Sequence, residues 1–66
     1  MQVTVKGIKL NLLKTAGDWA VYPGDSQSPF LMQWNGADWC FVSKETPTDL
    51  KAIEDYISLY IEMQDE

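Results

Sequence analysis

Residues 30–41, FLMQWNGADWCF, place four of the chain's eight aromatic side chains within twelve positions around an Asn-Gly pair. Phe30, Met32 and Trp34 alternate with Leu31 and Gln33 before the pair, and Trp39 and Phe41 flank Cys40 after it. Period-two alternation on both sides of Asn-Gly is the pattern of a β-hairpin. A two-residue turn sets Met32 opposite Trp39 and Phe30 opposite Phe41, whereas a four-residue turn sets Trp34 opposite Trp39 and Met32 opposite Phe41. Both registers gather Phe30, Met32, Trp34, Trp39 and Phe41 on one face. Cross-strand aromatic pairs contribute ~0.2–1 kcal/mol each, and burial under a second layer contributes more. The cluster is therefore expected to be core.

The covering layer follows directly in sequence. TPTD (46–49) offers Thr46 as a helix N-cap, Pro47 as the first helical residue and Asp49 as the returning acid of a capping box. Leu50, Ile53, Ile57, Tyr60 and Ile61 then fall on one stripe at helical spacing, and this stripe is expected to lie on the aromatic face.

Upstream, Val3 and Val5 alternate with polar neighbours, and Ile8, Leu10 and Leu12 alternate in the opposite phase after Gly7. A strand over residues 2–13 with a bulge at Gly7 restores the facing. KTAGD then reads as a turn, DWAVY (18–22) as a short strand ended by Pro23-Gly24, and PGDSQSP as a loop. The expected fold is α+β: a four-stranded antiparallel meander with one C-terminal helix packed on one face, all 66 residues forming a single small domain.

A chain of this length buries only ~60% of its unfolded surface, so each large apolar side chain matters. Disulfides offer no help, because Cys40 is the sole cysteine; a lone thiol inside an apolar run fits a reducing, cytoplasmic setting. Lys6, Lys9 and Asn11 interrupt the apolar residues of the N-terminal stretch, which therefore resembles neither a signal peptide nor a membrane span.

Charge is uneven along the chain. Residues 1–33 carry Lys6, Lys9 and Lys14 against Asp18 and Asp25, net +1, while residues 34–66 carry Lys44 and Lys51 against eight acids, net −6. Nucleic-acid affinity comes largely from Lys and Arg, so an acidic chain without arginine argues against such a ligand. A weak site built on Lys6, Lys9 and Lys14 with exposed sheet aromatics is the least favoured alternative.

Catalytic chemistry finds few candidates. There is no histidine to serve as base or metal ligand, one cysteine cannot build a thiolate zinc site, and the four glycines are isolated. Glu54 and Asp55 are adjacent on a helix and point ~100° apart, poor geometry for a cooperating carboxylate pair. No catalytic, cofactor or metal site is assigned, and the chain is read as a non-enzyme.

Surface features carry the functional reading. Ala52, Tyr56, Leu59 and Met63 form a second apolar row on the helix, displaced by roughly 100° from the first. Either sheet edges cover this row, leaving Leu59 singly exposed, or a partner or second copy does. On the other sheet face, Leu13, Tyr22, Leu31, Cys40 and Val42 are more apolar than a solvated face usually is. Glu62, Asp65 and Glu66 crowd the negative end of the helix dipole, a solvated tail or an acidic surface for a basic partner. The favoured function is a protein-interaction module, an adaptor or inhibitor of the kind encoded by phages and mobile elements, binding through Tyr56, Leu59, Met63, Glu54, Asp55, Glu62, Asp65 and Glu66. A subunit self-associating as a homodimer through the second apolar row is the alternative.

Overall fold

The computed structural model describes residues 1–64. Five strands are followed by two helical segments: β1 (Gln2–Val5), β2 (Ile8–Lys14), β3 (Trp19–Pro23), β4 (Phe30–Trp34), β5 (Trp39–Phe41), α1 (Thr48–Ala52) and α2 (Glu54–Gln64). The sheet is an antiparallel meander in sequence order, β1-β2-β3-β4-β5. The α+β class and the C-terminal helical cover are as expected, with one strand more.

The extra strand comes from Lys6-Gly7. Both residues have positive φ, 49° and 83°, and Val5 pairs directly with Ile8. This is a two-residue hairpin turn of the I′ kind, which requires positive φ at both central positions. A bulge and a two-residue turn shift the alternation by the same single position, so Val3, Val5, Ile8 and Leu10 share a face in either reading. The turn was hidden because lysine stands where Asn, Asp or Gly usually accepts the left-handed backbone.

The aromatic hairpin takes the four-residue register: Trp34 meets Trp39, and Met32 meets Phe41. Asn35 organises it, its Oδ1 accepting from the N–H groups of Ala37 (2.9 Å) and Asp38 (2.8 Å), while its own N–H donates to the Asp38 carbonyl at 3.0 Å. Gly36 takes φ 103°, a conformation that few other residues adopt.

One face of the sheet supplies Val5, Leu10, Leu12, Trp19, Val21, Met32 and Trp39 to the core, and the helical segments supply Leu50, Ile53, Ile57 and Ile61. Val21, Met32, Ile57 and Ile61 are fully enclosed, each contributing about 1.5–3 kcal/mol through burial. Within the core, the Trp19 Nε1–H has no hydrogen-bond partner among the described residues. That orphan donor subtracts from what its ring gains by burial.

Two residues expected in the core lie outside it. Trp34 is 49% exposed and Tyr60 36% exposed. The β3–β4 ladder ends at Trp19 and Met32, so Trp34 overhangs the sheet and has a cross-strand neighbour only in β5. Its ring leans on Trp39, with centroids 5.8 Å apart and planes at 59°.

The helix start also differs. Thr46 is buried, and its hydroxyl donates backward to the Ser43 carbonyl at 2.7 Å, so it does not cap the helix. Pro47 is the N-cap, without a side-chain cap bond. The helix is divided at Ile53, whose N–H donates to the Leu50 carbonyl, one residue short of α-helical spacing. Ile53 stays buried across this tightened turn and keeps the apolar stripe continuous.

Candidate protein-interaction surface

The position of α2 is set by the backbone needs of β5. As the last strand, β5 turns the N–H groups of Trp39 and Phe41 away from the sheet. Trp39 N–H donates to Ser58 Oγ at 3.0 Å, and Phe41 N–H donates to Glu54 Oε2 at 2.8 Å. Four helical residues rise about 6 Å and two strand residues about 6.8 Å, so an i, i+4 pair on a helix matches an i, i+2 pair of strand donors. Helix and strand run antiparallel, with Ile57 and Ile61 turned into the core beside this seam.

The seam decides what α2 leaves in solvent. At ~100° per residue, Tyr56, Leu59, Tyr60 and Met63 occupy an arc of about 100°. They are exposed by 46%, 58%, 36% and 68% respectively. Ala52 is exposed on the same side one turn before. Asp55, exposed, and Glu62, half-buried, border the arc on one flank. On the other flank the β1–β2 turn brings Lys6 Nζ to 4.9 Å from the centre of the Tyr56 ring, a cation–π contact.

Of the candidate contact residues, Tyr56, Leu59, Met63, Asp55 and Glu62 thus form one surface, joined by Tyr60. Glu54 stands apart, with one carboxylate oxygen committed to the sheet edge. Asp65 and Glu66 lie outside the described residues. Ser58, absent from those candidates, is buried and bonds the edge strand. A serine four residues after a glutamate, beside an isoleucine stripe, was the available signal.

On the opposite sheet face, Leu13 and Leu31 flank the buried Ala20 across β2, β3 and β4. Leu13 is 54% exposed and Leu31 36%, and Val42, bonded through its N–H to the Leu31 carbonyl, is 48% exposed. These residues adjoin as the alternation implies, while Tyr22 and Cys40 are half-buried.

The Cys40 thiol is pushed above its ordinary pKa by burial first, then by the negative charges of Glu54, Asp38 and Asp55. Asn35 Nδ2 lies 3.0 Å from the sulfur and opposes the shift. A protonated thiol is a poor nucleophile. Lys6, Lys9 and Lys14 do not converge: Lys6 sits at the turn, while Lys9 and Lys14 are an odd number of positions apart on β2 and project to opposite faces. Gln2, Val3, Thr4, Lys9, Leu10, Asn11, Gly24 and Asp25 line a shallow groove of about 460 Å³.

Among the described residues, no group of three His, Cys, Asp or Glu is placed to hold a metal ion, and no helix is long and apolar enough to cross a membrane. Comparison with family models, curated proteins and solved structures finds no match for this chain.

Proposed function

We propose that the protein is an interaction module, an adaptor or inhibitor, that docks the outer surface of α2 into an apolar groove bordered by basic side chains on a partner protein. The contiguous exposure of Tyr56, Leu59, Tyr60 and Met63 on a helix whose opposite side is fully engaged supports this reading. Helices recognised in grooves present anchors at this i, i+3, i+4, i+7 spacing. Asp55 and Glu62 at the border, within a C-terminal half of net charge −6, supply the complement to a basic rim.

The test is capture from cells of the source organism with the intact chain and two variants, Leu59→Ser/Met63→Ser and Asp55→Asn/Glu62→Gln. A partner held by the wild type should be lost with the first variant and released at lower salt with the second, while both keep the wild-type urea midpoint. A partner retained undiminished by the first variant would refute the assignment of this surface.

A further inference from the structure

The sheet edge at β1 differs from the edge at β5, where side chains of α2 take up the outward N–H groups. Met1 N donates to the Leu12 carbonyl at 2.8 Å, and Leu12 N donates to the Met1 carbonyl at 2.7 Å. Bonded and non-bonded pairs alternate along an antiparallel ladder, so Val3 and Val5 face β2 while Gln2 and Thr4 turn their N–H and C=O groups outward. Gln2 and Thr4 are exposed, and no other element reaches these groups among the described residues. Natural sheet edges are commonly guarded by short strands, lysine, proline, a bulge or a covering element. Gln2–Val5 is short, but it carries no lysine, proline or bulge, and no described element covers it.

We propose that two copies of the chain pair antiparallel through β1, with Val3 of each copy meeting Val3 of the other on a two-fold axis. In this register Gln2 of one copy lies opposite Thr4 of the other, and each such pair exchanges both backbone bonds. The polar–apolar–polar pattern Gln2-Val3-Thr4 is its own complement. Half-buried Val3, already packed against the core beside Leu10, gains a further apolar neighbour on its open side.

One further observation bears on a second copy. Pairing through β1 is self-limiting, because the far edge of each sheet is already closed by Ser58 and Glu54. The product is a closed dimer rather than a growing ribbon. A four-residue edge falls at the low end of interface sizes, so the dissociation constant should lie near ~0.1–1 mM. This pairing is independent of the helix surface proposed above.

The test is sedimentation equilibrium with amide spectra of the full chain at about 10 µM and about 1 mM, concentrations that bracket the expected constant. The chain should pass from monomer to dimer, with the Gln2 and Thr4 amides shifting and gaining exchange protection. Thr4→Pro and, separately, Gln2→Pro each remove an outward donor without touching a bond to β2, and each should weaken association at least ~10-fold. The second variant serves if the first disturbs the hairpin. A monomer at the higher concentration overturns the proposal. So does a dimer that survives in either folded proline variant, or one abolished only by Leu59→Ser/Met63→Ser.

Discussion

The two edges of the sheet present the same backbone chemistry and are treated in opposite ways. At β5 the outward N–H groups of Trp39 and Phe41 are taken up by Ser58 and Glu54, so the helix serves the edge strand as well as the core. At β1 the outward groups of Gln2 and Thr4 are left to solvent. The difference explains the asymmetry of the whole molecule. A helix drawn toward one edge buries Ile57 and Ile61, leaves the arc from Tyr56 to Met63 uncovered, and gives no cover to Trp34 beyond the end of β3. Completing one edge creates an apolar surface elsewhere.

The largest expected effect lies on the closed edge. Trp39→Ala should cost about 3–5 kcal/mol, the range for removing a buried aromatic. Trp34→Ala should cost roughly 1 kcal/mol, since it loses mainly the tilted contact with Trp39. Urea unfolding followed by circular dichroism reads both, and equal losses would mean that Trp34 is as fully packed as its neighbour. Ser58→Ala comes next. It strands the Trp39 N–H in a buried position and should cost about 1–3 kcal/mol. A midpoint unchanged within error would remove the edge-closing role of Ser58. Smaller again is the effect at the open edge, where Thr4→Pro at low micromolar concentration should cost less than ~1 kcal/mol, because no ladder bond is lost. Amide exchange sharpens the contrast without mutation: Trp39 and Phe41 should be protected in the monomer, and Gln2 and Thr4 should exchange close to the free-peptide rate.

This same contrast marks where the sequence could be read and where it could not. The aromatic alternation around Asn35-Gly36 and the Leu50, Ile53, Ile57, Ile61 stripe specify a hairpin and its cover, because burial repeats with the period of each element. The Lys6-Gly7 turn was hidden, since periodicity records a change of phase and leaves its cause open. Thr46 carried a strong capping signature, yet its hydroxyl found the Ser43 carbonyl instead, a local competition that pattern cannot rank. The edge-closing roles of Ser58 and Glu54 are not legible, because their partners are backbone groups, which every residue possesses and no side-chain pattern reveals. The exposed row of Tyr56, Leu59 and Met63 was legible as a row. That it stays uncovered follows from where β5 holds the helix.

The subtlest test separates the two things that Glu54 does at the closed edge. Its carboxylate accepts from the Phe41 N–H, and its charge also helps to hold the Cys40 thiol above its usual pKa, second to burial. Glu54→Gln keeps an oxygen acceptor in place and removes the charge. Stability should change little, while the thiol, freed of one neighbouring anion, should ionise more readily. A surface charge pair of ~0.2–1 kcal/mol corresponds to less than about a fivefold rise in alkylation rate near pH 8. The sign for stability follows from the same shift: the folded chain holds the thiol proton more tightly than the unfolded one. Its contribution is therefore fully present below the unfolded-state pKa and declines as pH rises through the folded-state value. Glu54→Gln should flatten that decline. A variant that loses several kcal/mol with no change in thiol reactivity would show that Glu54 acts at this edge through its bond alone, leaving burial, Asp38 and Asp55 to account for the state of Cys40.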